Sequence, residues 1–184
     1  MTTEIFLLEH LETPTGCMRI VTDETGALRA VDWDDHEARM MKLLERHCGG
    51  TGFELRKTAP SSRAARALEA YFDGDLSAIA ALPAKTHGTP FQSQVWDALR
   101  TIPAGQSVSY GALAARIGRP GSSRAVGLAN GSNPIAIVVP CHRVIGADAS
   151  LTGYGGGLDR KRWLLVHEQA HCAVADAPQL RMAF

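Results

Sequence analysis

Apolar and polar residues alternate along the first part of the chain in short runs, Ile5 to Leu11, Met18 to Val21 and Ala27 to Trp33. A two-residue period predicts strands with one face buried. The segments between them, Thr13-Pro14-Thr15-Gly16 and Asp23-Glu24-Thr25-Gly26, have turn chemistry, so a small antiparallel sheet is expected. The period then becomes helical: Met40, Leu43, Leu44 and His47 share a face of a helix expected to be capped by Asp34 or Asp35 and closed by Gly49-Gly50. A second helix, from Ser61 or Ser62 to Phe72, carries Leu68, Tyr71 and Phe72 on its apolar side.

Leu82 to Pro90 is rich in turn residues and reads as a linker, which divides the chain into residues 1–84, residues 85–172 and a loosely held tail, 173–184. Beyond the linker Phe91, Val95 and Leu99 mark an amphipathic helix that stops before Pro103. Two short helices follow, Tyr110 to Ile117 and Ser122 to Ala129, joined by Gly118-Arg119-Pro120-Gly121. This is the outline of a helix-turn-helix, whose second helix enters a DNA groove. That second helix is bare: Ser122, Ser123, Ala125, Gly127 and Ala129 are small, and Arg124 is its long cation, so it can approach a narrow surface closely. Asn133 to Val139 predicts a buried strand, and Asp159 to Glu168 a capped helix in which Glu168 shares a stripe with Leu164 and Leu165.

A composition of 45% hydrophobic and 21% charged residues is that of an ordinary globular protein. The longest apolar run, Ile135 to Val139, is too short to cross a bilayer, and the first ten residues carry acids where a signal peptide carries bases, so a cytoplasmic protein without a membrane partner is expected. Cys17, Cys48, Cys141 and Cys172 are irregularly spaced, with no Cys-x-x-Cys pair, which indicates neither a disulfide scaffold nor a metal site. Net charge is zero, yet residues 1–84 hold 9 Lys/Arg against 14 Asp/Glu and residues 85–184 hold 10 against 5. A polyanionic partner should lie against the second part.

The sharpest chemical signal is Pro140-Cys141-His142-Arg143-Val144, a thiol beside an imidazole and a guanidinium at the end of the apolar run. A thiol becomes a strong nucleophile as thiolate, which neighbouring His or Arg would favour. Adjacent residues of an extended chain face opposite ways, so Cys141 and His142 cooperate only if the backbone turns there or a water bridges them; Pro140 favours a break. Glu168 on a core-facing stripe needs a partner, and His142 is a natural one. A Cys/His pair of this kind also occurs as plain structure. A cysteine hydrolase would use the same three residues, and a DNA-binding module without chemistry would account for the charge alone.

Taken in order, Thr89-Pro90-Phe91-Gln92, Val95-Trp96, Arg124-Ala125-Val126-Gly127, Gly131-Ser132-Asn133-Pro134, Pro140-Cys141-His142-Arg143-Val144, Gly153-Tyr154-Gly155-Gly156-Gly157-Leu158 and Trp163-Leu164-Leu165-Val166-His167-Glu168 closely resemble the O6-alkylguanine-DNA alkyltransferases. With Arg29-Ala30-Val31 and Trp33 in the first part, the resemblance spans essentially residues 3–170 and is greatest to the stand-alone bacterial form.

The resemblance implies an α+β protein: a small RNase H-like sheet-plus-helix domain, then a mainly helical, winged-helix-like domain carrying the chemistry. It implies direct reversal of damage, in which Cys141 takes an alkyl group from O6 of guanine, or O4 of thymine, in duplex DNA and is spent. His142 would remove the thiol proton through a water, Glu168 would orient His142, and Asn133 would brace the turn between site and helix. Tyr110 would donate to N3 of the departing guanine, the carbonyls of Cys141 and Val144 would accept its amino group, and Gly155 would donate to O6. Tyr154 and Gly156 belong to the same glycine-rich wall. Arg124 would fill the gap left by the flipped base, with Ser122, Ser123, Ala125 and Gly127 on the helix in the minor groove. No cofactor or metal is implied, and the protein is expected to be a monomer in solution that can cluster on DNA. Family lesion sensors lack the acceptor cysteine, which is present here. One departure stands out: Gly146-Ala147-Asp148-Ala149-Ser150-Leu151 replaces a segment that commonly carries a basic residue and a second glycine.

Overall fold

A computed structural model describes residues 3–48, 52–59 and 61–175, with side chains as far as Cys172. Three strands form where the alternation predicts them: β1 (Glu4–Leu11), β2 (Met18–Asp23) and β3 (Leu28–Trp33), paired antiparallel with a bulge at Val21/Thr22. A fourth, β4 (Phe53–Lys57), pairs parallel to β1, so the sheet is mixed, in the order β3-β2-β1-β4. Both faces are covered. Phe6, Leu8, Val21 and Ala30 pack on Met40 and Leu44 of α1 (Glu37–His47). Met18, Ile20, Val31 and Trp33 face the larger core, which includes Leu68 and Tyr71 of α2 (Arg63–Phe72) and Val95, Trp96 and Leu99 of α3 (Pro90–Arg100).

Several helix starts follow side-chain capping by a hydroxyl. Ser62 accepts from the Ala65 N–H, and Thr89 and Gln92 form a reciprocal capping box. Neither Asp34 nor Asp35 caps α1, contrary to expectation. Both lie in a 3-10 turn, Asp34–His36, and are drawn outward to Arg19 and Arg160, leaving His36 at the cap without a side-chain bond. The expected closing pair Gly49-Gly50 lies outside the described residues.

The supposed linker is strapped to the sheet. Leu28 N–H donates to Pro83 O at 2.8 Å and Lys85 N–H to Leu28 O at 2.9 Å. Farther along the same edge, Val31 N–H donates to Pro134 O and Ala136 N–H to Val31 O, both at 2.9 Å. The linker and one segment of the second part thus satisfy the free edge of β3, which would otherwise be a template for foreign strands. One hydrophobic cluster runs from Leu11 to Leu164 across the expected boundary.

The paired helices are α4 (Tyr110–Arg116) and α5 (Ser123–Gly131). Helix α4 ends in a Schellman turn: Gly118 takes φ +70, its N–H donates to Ala115 O, and Arg119 N–H donates to Ala114 O. Two further short strands, β5 (Val108–Ser109) and β6 (Val144–Ile145), pair in parallel, and β6 directly follows the turn carrying Cys141. The last helix, α6 (Leu158–Ala175), continues past the point where a tail was expected to start; residues 176–184 lie outside the described residues. No helix among the described residues is long and apolar enough to cross a membrane.

Candidate active site

The apolar run that ends at Cys141 is not a strand. Ile135 alone bridges to β3, after which Val138 N–H donates to Ala136 O at 2.8 Å, Val139 N–H to Ile135 O at 3.1 Å, and Ile137 adopts φ +68. Asn133 supplies the reason. Its Nδ2 donates to Val139 O at 2.8 Å and Ile135 O at 3.3 Å, and its Oδ1 accepts from Ile135 N–H at 3.0 Å, replacing the ladder partners a strand would need. A β-branched residue at positive φ costs ~1–3 kcal/mol and persists where the surroundings over-determine it. Residues 133–144 are all buried, which provides that constraint.

Pro140 ends the segment, and Cys141–Arg143 form a single 3-10 turn. The break that cooperation between Cys141 and His142 requires is therefore present. Cys141 Sγ lies 3.1 Å from Asn133 Nδ2. On the other side of the turn His142 Nε2 is 2.9 Å from Glu168 Oε1, both side chains being fully buried. Glu168 Oε1 also accepts from Tyr71 Oη at 2.8 Å and Arg143 Nη2 at 2.7 Å; Oε2 accepts from Arg143 Nε at 2.9 Å and the Gly105 N–H at 3.2 Å.

This network fixes the protonation states. Burial alone would raise the Glu168 pKa, but the hydrogen bonds from His142 and Arg143 outweigh it and hold the carboxyl well below the usual range, so it is an anion. Burial pushes His142 below 6.5 against the pull of Glu168, so the imidazole is neutral. With Nε2–H donated to the carboxylate, Nδ1 carries the lone pair, and Nδ1 is buried without a protein partner. Burial also raises the Cys141 thiol, which the Asn133 hydrogen bond only partly offsets. The expectation of a thiol made acidic by His142 and Arg143 is therefore corrected: Arg143 spends its guanidinium on Glu168 and on Ile102 O, 2.5 Å away, and His142 is uncharged. At rest the pair is thiol plus imidazole.

Three participants escaped sequence reading. Lys161 in α6 is fully buried, donates to Val144 O at 2.6 Å and Thr152 O at 2.7 Å, and is lowered by burial to about 8. It lies three and seven residues before Leu164 and Glu168, so the helical stripe would have revealed it. Tyr71 was visible only as a core residue. Arg39, from α1, pairs with buried Asp32 and donates through Nη2 to Gly131 O and Asn133 O, each at 3.2 Å. Nothing in the sequence around Arg39 marks it.

The glycine-rich wall is set by close approach. A Cβ on Gly155 would overlap the Arg39 guanidinium, and one on Gly156 would overlap the Trp33 ring. Tyr154 packs edge-on to Trp33 at 6.0 Å, with its hydroxyl buried and unpartnered. The Val144 carbonyl already receives Lys161 on one side; that of Cys141 accepts both Val144 N–H and Asn130 Nδ2. The departing segment after Ile145 closes on itself: Gly146 N–H donates to Ser150 O at 2.8 Å, Asp148 Oδ1 accepts from Ser150 Oγ at 2.6 Å, and Ala149 takes φ +62.

On the outer face, Tyr110, Ser123, Arg124, Gly127, Leu128 and Thr152 line an open depression of about 390 Å³. Arg124, Ser123 and Ala125 are exposed, whereas Ser122 and Gly127 are half-buried. Tyr110 and Arg124 thus meet at one depression, while Cys141 with Asn133 and His142 with Glu168 lie in the interior. A larger cavity, about 540 Å³, backs onto Pro140 and Arg143, but Cys141 is not among its lining residues. No disulfide joins any of the four cysteines among the described residues.

Similarity to known proteins agrees with this geometry. Residues 90–170 match the family described as 6-O-methylguanine DNA methyltransferase, DNA binding domain. A methylated-DNA--protein-cysteine methyltransferase of Shigella flexneri is 52% identical over 162 residues, 88% of this chain and 95% of the relative. One from Mycolicibacterium paratuberculosis is 61% identical over 104 residues, 56% of this chain and 62% of the relative. Among solved structures, Mycobacterium tuberculosis OGT in complex with DNA superposes with a TM-score of 0.73 at 40% identity, covering 90% of this chain and 94% of that one. The fold, the buried Cys-His-Glu constellation and this extended similarity together make the chain a member of the methylated-DNA--protein-cysteine methyltransferase family.

Proposed function

We propose that the chain repairs DNA by moving an alkyl group from O6 of guanine in a duplex, and from O4 of thymine, onto Cys141, once per molecule. The observation that carries this reading is a buried thiol held by Asn133 in the same turn as a neutral imidazole whose free Nδ1 is backed by the Glu168 anion. The thiol proton leaves to His142 Nδ1 through a bridging water as sulfur attacks the alkyl carbon. A C–S bond forms, the C–O6 bond breaks, and the electron pair passes to the guanine, which Tyr110 neutralises by donating a proton toward N3. Glu168 stabilises the imidazolium and fixes its orientation. Water cannot readily displace a thioether, so the protein does not turn over.

In this reading residues 1–84 form an RNase H-like supporting domain and residues 85–172 the winged-helix-like reactive domain. Arg124 fills the gap in the base stack, with Ser122, Ser123, Ala125 and Gly127 against the minor groove. Val144 O binds the guanine amino group with its remaining lone pair, the Gly155 N–H binds O6, and Tyr154 and Gly156 shape the wall. The protein works in the cytoplasm as a monomer that clusters on DNA. The test is intact-protein and peptide mass spectrometry after mixing with a stoichiometric duplex carrying one O6-methylguanine, beside Cys141→Ala. One methyl on the Cys141 peptide, saturating at one per protein, is expected. An unmodified Cys141 in a protein that still binds the duplex would replace transfer by lesion sensing.

A further inference from the structure

Leu128 has no role in the chemistry above, yet it is the most exposed large hydrophobic side chain among the described residues, at 74%. Its place is specific. It lies one helical turn after Arg124 on the same side of α5, next to Gly127, and lines the same depression as Tyr110 and Arg124. The ground around it is purely basic: no Asp or Glu occurs between Asp97 and Asp148, and Arg116, Arg119 and Arg124 are all exposed. An apolar side chain left in water on a cationic, small-residue helix fits a partner whose charged rails flank a less polar floor, which describes the DNA minor groove.

We propose that Leu128 is a specificity-determining contact that presses on the minor-groove floor beside the lesion and favours A·T over G·C pairs there. The proposal rests on the DNA-repair reading of this face. Four residues of α-helix advance about 6 Å, against about 3.4 Å per base pair, so Leu128 meets the groove roughly two pairs from the gap that Arg124 fills. In that groove A·T and T·A pairs present only acceptors, whereas G·C adds the guanine N2 amino group, which projects from the floor. Covering that donor with an isobutyl group strips its water and returns no hydrogen bond. The discrimination is therefore steric and desolvating, and it is confined to the side of the lesion toward which α5 runs.

The experiment uses full-length protein and duplexes with one O6-methylguanine, in which the pairs one to three steps away, on one side and then the other, are all A·T or all G·C. Single-turnover methylation of Cys141 is followed by mass spectrometry, and duplex affinity by fluorescence anisotropy. Wild type is expected to react and bind about fivefold or more better with A·T on one side only. Leu128→Ala and Leu128→Gln should bring that ratio within twofold, and Leu128→Met should retain it. Because the side chain is exposed, all variants should melt with wild type. A wild type without flank preference, or a preference that survives in Leu128→Ala, overturns the proposal. A wild type that never methylates Cys141 refutes alkyl transfer instead, while the anisotropy ratio still judges the Leu128 contact.

Discussion

Tyr71→Phe tests whether the first part of the chain is coupled to the chemistry. The hydroxyl donates to Glu168 Oε1 at 2.8 Å across 97 residues of sequence, and both groups are buried. A hydrogen bond to a charged acceptor contributes ~1.5–3 kcal/mol. The lower end applies, because His142, Arg143 and the Gly105 N–H still hold the carboxylate. Phenylalanine also keeps the ring packing on Phe72 and His167. A loss of about 1.5 kcal/mol in a protein of this size lowers Tm by roughly 3–6 °C. Alkyl transfer should slow by no more than a few-fold, because the His142–Glu168 bond survives. Thermal melting and single-turnover methylation of Cys141 give the two numbers. A Tm within 1 °C of wild type would refute the assigned contribution. The Glu168→Gln double-mutant cycle should return a coupling of about 1 kcal/mol; strict additivity would show that the two residues act independently.

The pH dependence follows from His142. Its folded pKa lies below 6.5, so on acidification the transfer rate should fall later than an ordinary histidine would allow, which at pH 6 would already be about three-quarters protonated. Stability has the same origin: below 6.5 the unfolded chain takes a proton that folded His142 refuses, so the urea midpoint falls as pH drops from 6.5, and falls further below 4.5, where unfolded glutamate protonates but Glu168 stays ionised. A midpoint constant from pH 7 to 4 would contradict both directions. Ala149→Gly should raise stability by about 0.5–1 kcal/mol, because Ala149 sits at φ +62 in a turn held by its neighbours; a lower urea midpoint would show that the turn is not strained.

Local periodicity and capping chemistry by themselves determined most elements: three strands, the Ser62 helix start, the helix marked by Phe91, Val95 and Leu99, the paired helices α4 and α5, and the stripe that carries Glu168. The ordered motifs also determined the family, because covalent chemistry at a cysteine requires particular neighbours in particular order. Sequence misread Asn133 to Val139 as a strand, because composition cannot show that one asparagine side chain substitutes for a whole ladder. It missed β4, a five-residue edge strand whose alternation rests on only two half-buried apolar residues, Phe53 and Leu55. Only the tertiary structure decided what the first part contributes. Arg39, Tyr71 and the edge of β3 reach the reactive turn from far away in sequence, and no local pattern encodes a contact between residues 71 and 168. It also decided the resting charge state. A cysteine beside histidine and arginine reads as an activated thiolate in sequence, but the fold buries the thiol and turns the arginine onto Glu168, so the proton must leave during the reaction rather than before it.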